Sequence, residues 1–209
     1  MAALSTVLCV LYGIPLAWLL ARKRFTGRGL LEALVTLPLV LPPTVVGYYL
    51  LRGLGEGSAL GRFLGNDIGL RLVFTGEGAG LAASVLAAPL LIRTAQTAFE
   101  EVDPELERVA ATLGRSRPAV FATVTLPLAA RGIAAGIALA FARSIGEFGA
   151  TVMVAGNIPG RTRTLSVAVY DAVQAGDVGK ANETALALVA ISTLSLFAFS
   201  YAAGLFGRR

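Results

Sequence analysis

The chain has 209 residues, of which 56% are hydrophobic and only 15% charged, against about 25% charged in an average soluble domain. Such a composition excludes an ordinary soluble fold and leaves room for roughly five or six membrane spans of about 20 residues in one polytopic unit, residues 1–209. The lone cysteine, Cys9, rules out an intrachain disulfide, the absence of histidine removes the commonest proton shuttle and metal ligand, and the net charge of +5 reads as membrane topology rather than affinity for nucleic acid.

The first apolar run, residues 2–21, is uncharged and is followed at once by Arg22-Lys23-Arg24. A cleaved leader carries its basic residues ahead of the apolar stretch, so this run is predicted to be a retained span. A second uncharged run, residues 33–51, holds Pro38, Pro42 and Pro43. Prolines remove backbone donors, so the span is predicted to break where other helices or a cavity satisfy the freed carbonyls. The third span, residues 76–99, is uncharged only from 78 to 92, and Arg93 is predicted to snorkel at its end. A fourth covers 128–154 and a fifth 184–206. Segment 53–75 reads as an irregular glycine-rich loop. Within 156–183, residues 165–175 have apolar spacing suited to a short external or re-entrant helix, with a sixth span as the alternative. The fold class is all-α, a polytopic membrane helical bundle.

Orientation follows from the loop cations. With the polar stretch 100–127 inside, the inner side collects Arg22, Lys23, Arg24, Arg28, Arg93, Arg108, Arg115, Arg117, Arg131, Arg208 and Arg209; the outer side has Arg52, Arg62, Arg71, Arg161, Arg163 and Lys180. Eleven against six predicts an external N-terminus, a cytoplasmic C-terminus and a cytoplasmic polar stretch in a cell-membrane protein.

That stretch is capped by design. Asp103 is a preferred N-cap, Pro104 suits the first helical position, Glu105 and Glu107 favour the helix dipole, and Gly114 supplies a left-handed stop. A helix over 104–113 is predicted, followed by a second short one from Pro118 towards Leu126-Pro127, where the chain re-enters the membrane.

In the fourth span Arg143 and Glu147 are one turn apart and share a face. Arg143 falls about 17 Å along from Gly132, close to the midplane of a core about 30 Å thick. Such a pair is either part of a translocation path or gate, together with Ser144, or a static lock between helices. Gly132, Gly136, Ala140 and Ser144 form a stripe of small residues that permits close packing within the bundle or at a subunit interface.

Gly114, nine residues, then Val124-Thr125-Leu126-Pro127 resembles the signature of permease subunits of binding-protein-dependent ABC importers: Glu-Ala-Ala, three residues, Gly, nine residues, then Ile-x-Leu-Pro. Ala110, Leu113, Gly114, Leu126 and Pro127 match, whereas Arg108 stands at the glutamate and Val109 at the first alanine, with Glu107 one position early. In that family the short helix inserts into a groove of the ATPase subunit, which implies a coupling interface at Glu107, Arg108, Ala110, Ala111, Leu113 and Gly114. Residues 37–47, 141–151 and 156–164 are further similar to molybdate permease subunits, and the likeness covers nearly the whole chain, with an N-terminus slightly shorter than in typical members.

The resemblance implies a type I ABC importer transmembrane domain: a homodimer forming the path, two cytoplasmic ATP-binding cassette subunits, an external substrate-binding protein that delivers molybdate or tungstate, and lipid around the spans. The chain itself is expected to be no enzyme and to hold no cofactor or metal; no Gly-Lys-Ser or Gly-Lys-Thr phosphate loop is present. Arg161 and Arg163 read as binding-protein contacts or solvated loop charges before they read as an anion entrance. The alternatives are a sulfate or thiosulfate permease and, from another class, an ion-gradient transporter, whose internal repeats are not found.

Overall fold

The structure, a computed structural model, describes residues 1–206, with side chains through residue 198. The first apolar run forms α1 (Ala2–Arg22), which stops where Lys23 turns extended. The proline-bearing run divides into α2 (Arg28–Val40) and α3 (Pro43–Leu54), set at 114° to each other. Pro38 is accommodated inside α2; the break comes at Pro42-Pro43. Two successive residues there have no donor, and a proline drives the residue before it out of the helical region, so Leu41 is extended at φ −73°, ψ 143°. Beyond α3 the expected irregular loop carries one short turn, α4 (Ala59–Arg62), continued by a π-turn over Phe63–Asp67.

The centre of the bundle is α5 (Gly76–Glu100), whose apolar window is 72% buried. It runs parallel to α1: Gly80 lies against Leu4, Gly13 against Leu91 and Ile92, and Arg22 donates to the carbonyl of Val102 at 2.9 Å. Two parallel neighbours need a return crossing between them. The bent α2–α3 pair supplies it, so the described residues hold five crossings when that pair is taken as one span.

The polar stretch forms α6 (Pro104–Thr112), one residue shorter than expected because Leu113 is already its C-cap. Gly114 adopts φ +81°, as a helix stop requires. The expected separate helix after Pro118 is instead the start of the fourth crossing. A turn, α7 (Arg117–Val120), passes through a π-turn (Phe121–Thr125) into α8 (Leu126–Ile145), a continuous 29-residue rod. Pro127 explains the π-turn: it cannot donate, and its ring would press on the carbonyl four residues back, so the chain widens there and Leu126 donates to Phe121 instead.

The fourth crossing is broken, which the apolar run did not reveal. The rod ends at Ile145 and helix resumes as α9 (Gly149–Ala155). Therefore Arg143 lies in the last turn of α8 and Glu147 in the break, not in mid-helix. Next come α10 (Leu165–Gln174), where a short loop helix was expected, and α11 (Val178–Phe206), which begins six residues ahead of the expected Thr184 and takes Lys180 and Glu183 into its first turns. Arg208 and Arg209, counted on the inner side, lie outside the described residues.

Small residues set the packing. An added Cβ at Gly132 would come within 2.4 Å of the Ala98 Cβ, and one at Gly136 within 3.2 Å of the Leu91 carbonyl. The small-residue stripe of α8 is thus spent on α5 and α1 inside the protomer rather than kept for a second subunit. Arg93 does not snorkel: it donates to Thr36 Oγ1 at 2.8 Å and to the Glu32 carbonyl at 3.3 Å, tying α5 to α2.

Candidate functional site

At the end of the bundle where α1, α5 and α8 meet α6, the capping logic of the sequence is realised. Asp103 accepts from the Glu105 backbone N–H at 2.8 Å, and Arg108 pairs with Glu105 on the exposed surface at 2.8 Å. No residue of α6 is buried. Its apolar side chains instead point outward: Leu106 is 48% exposed, Val109 51% and the following Leu113 79%. They recur at the spacing of one helical face. Of these, the predicted coupling interface includes Leu113 but not Leu106 or Val109, although their spacing in the sequence carries the signal.

Glu107 points the other way. One carboxylate oxygen accepts from Arg22 at 2.9 Å and from the Thr125 hydroxyl at 2.6 Å. Thr125 is buried, and the Arg22 and Glu107 side chains are 15% and 25% exposed. Arg22 also holds the Val102 carbonyl, leaving its Nε buried without an acceptor. Of the sequence-predicted coupling residues, Arg108, Ala111, Leu113 and Gly114 are exposed, Ala110 is half-buried, and Glu107 anchors the helix from beneath.

The second predicted group lies at the break between α8 and α9. Arg143 and Glu147 form an ion pair at 2.7 Å, with side-chain exposures of 31% and 1%. The other oxygen of Glu147 accepts from the Ala150 N–H at 2.9 Å, and the Glu147 carbonyl accepts from Ser166 at 3.0 Å, so this residue secures the start of both α9 and α10. Ser144 is buried against α1: its hydroxyl donates to the Ala140 carbonyl at 2.8 Å, which leaves Ser5 as the donor in the 2.7 Å Ser5–Ser144 bond. The break abuts the one between α2 and α3. Gly149 lies against Pro43 and Thr44, and Gly47 against the backbone of Ala150. Segments 37–47 and 141–151, far apart in sequence, therefore meet as two broken helices.

In the loop after α9, Arg163 is neutralised. It donates to Asn157 at 2.7 Å and pairs with Asp171 at 3.0 Å, while Asn157 also donates to Asp171 at 3.0 Å. Of the two loop arginines considered for an anion entrance, only Arg161 remains exposed. No group of acidic, cysteine or histidine side chains suited to hold a metal ion occurs among the described residues.

Comparison with known proteins agrees with this architecture. The chain is 44% identical to the molybdenum transport system permease protein ModB of Escherichia coli K12 over 93% of its own length and 86% of that protein. It is 46% identical to ModB of Haemophilus influenzae over 79% of this chain and 74% of that one, and 36% identical to the sulfate transport system permease protein CysT of Salmonella typhimurium over 100% and 75%. A bacterial ABC transporter involved in import of the acidic polysaccharide alginate shares the fold, with a TM-score of 0.64, 15% identity, and coverage of 97% of this chain and 76% of the other. The profile of the binding-protein-dependent transport system inner membrane component matches residues 13–209, and the chain belongs to that family, as a multi-pass membrane permease subunit rather than a catalytic one.

Proposed function

We propose that this chain, acting as one unit over residues 1–209, is the permease subunit of an ATP-driven importer of molybdate, working as a homodimer with two cytoplasmic ATPase subunits and an external binding protein. The observation that carries the reading is the outward-facing Leu106, Val109 and Leu113 on α6. Helices at the surface of a lone folded unit turn such residues inward; here the apolar face awaits a partner. With Arg108, Ala110, Ala111 and Gly114 beside it, α6 forms the surface for the ATPase groove, and hydrolysis takes place on that partner.

The meeting of the two broken helices, with Arg143 half-exposed beside it, is our candidate for the gate. Discontinuous membrane helices concentrate where a cavity or path satisfies the free backbone. Along α11 only 6% of the apolar window is buried, which suits a surface covered by lipid or by the second protomer. Orientation follows the cation count, with α6 in the cytoplasm.

Molybdate is favoured over sulfate by identities of 44% and 46% to the molybdenum permeases against 36% to the sulfate permease. The sulfate reading stands second because that relative matches the full length of the chain. The test is reconstitution with the neighbouring ATPase and binding protein in vesicles. ATP-dependent uptake of molybdate, competed by tungstate and not by equal sulfate, is expected. Sulfate uptake that molybdate does not compete would transfer the assignment to the alternative; uptake without ATP would remove both.

A further inference from the structure

Because α6 buries none of its own residues and only Glu107 and Ala110 are half-buried, packing gives it a weak hold on the bundle. What joins it are directed contacts. Glu107 receives Arg22, the last residue of α1, and Thr125, just ahead of α8, on the same oxygen, while Arg22 also holds the Val102 carbonyl before α6 begins. These contacts link residues 85 and 18 positions apart in sequence. Two strong, charge-assisted bonds meet on a side chain mostly shielded from water. Exposed pairs on the same helix, such as Arg108 with Glu105, have no such reach.

Resting on the coupling-helix reading above, we infer that Glu107 is a positioning residue rather than an ATPase contact: through Arg22 and Thr125 it ties α6 to the ends of α1 and α8. A displacement that an ATPase imposes on α6 then reaches two membrane helices at once, both packed on α5 and on each other. The departure from the family pattern acquires a reason. A glutamate one position early falls on the inner face of α6, opposite the apolar docking stripe.

The test uses the complete reconstituted complex. In Glu107→Gln the ATPase subunits are expected to co-purify as in the wild type and to hydrolyse ATP, while molybdate taken up per ATP falls about tenfold, within the usual range of coupling between sites. Thr125→Val removes one of the two bonds with little change of shape and is expected to lower the same ratio less. Exchanging the charges, Arg22→Glu with Glu107→Arg, is expected to recover part of it. Loss of the ATPase subunits from Glu107→Gln would make Glu107 a docking residue. An unchanged uptake-to-ATP ratio in both Glu107→Gln and Thr125→Val would likewise overturn the tie. Should Glu107→Gln fail to accumulate, Thr125→Val decides alone. A wild-type chain that binds no ATPase would instead remove the functional reading on which the tie rests.

Discussion

Arg143 and Glu147 are unequal partners, and the inequality decides what each contributes. The Glu147 side chain is 1% exposed, whereas 31% of Arg143 remains accessible. Removing Arg143 strands a buried carboxylate, a change that costs about 3–5 kcal/mol in comparable pairs. Removing the charge of Glu147 leaves an arginine that can reach solvent or a cavity, and glutamine still offers an oxygen to the Ala150 N–H. Arg143→Met should therefore lower the melting temperature of the purified protein more than Glu147→Gln. The double variant Arg143→Met/Glu147→Gln should recover most of the loss, since the stranded charge is gone. Equal destabilisation by the two single changes, or strict additivity in the double, would count against a pair that secures the α8–α9 break. The pair itself was legible from i, i+4 spacing. Its place at a break was not, because Gly146 stands in a glycine- and alanine-rich segment whose composition does not separate a helix end from close packing.

Among the elements, α6 was the most legible, because its ends are set by neighbours in sequence. Asp103 caps within two residues and Gly114 ends the helix with its own backbone. The destinations of Glu107 and Arg93 were hidden for the opposite reason: Arg22, Thr125, Thr36 and Glu32 come from other helices. Gly114 also permits a clean prediction, because a Cβ built there meets nothing within 4 Å. The cost of substitution is thus purely conformational, about 1–2 kcal/mol for an ordinary residue at positive φ, less for asparagine and more for a β-branched one. ATP-driven uptake should fall in the order Gly114, Gly114→Asn, Gly114→Ala, Gly114→Val, with equal amounts in the membrane. Wild-type uptake by Gly114→Val would mean that the angle at which the chain leaves α6 is irrelevant to coupling.

For the molecule as a whole, the apolar runs revealed the crossings and the parallel packing of α1 on α5 fixes their alternation. If α1 and α5 run the same way, α2–α3 must cross back, and the continuous rod of α7 and α8 with α9 must carry the chain from the α6 end to the opposite one. The loop before α7 and the loop after α9 then lie on opposite sides of the membrane, and the orientation we propose from the cation count has the first inside. The chain suits a direct measurement, because its only cysteine, Cys9, is fully buried and removable. In a Cys9→Ala background, Arg161→Cys and Ser116→Cys each put a thiol at an exposed position on one of these loops. A membrane-impermeant maleimide applied to intact cells should label Arg161→Cys at once and Ser116→Cys only after permeabilisation. The reverse pattern would invert the orientation while leaving the number of crossings between the loops odd. Labelling of both from one side would go further: α7–α9 would then not cross at all, and α6 would share its compartment with the loop that carries Arg161.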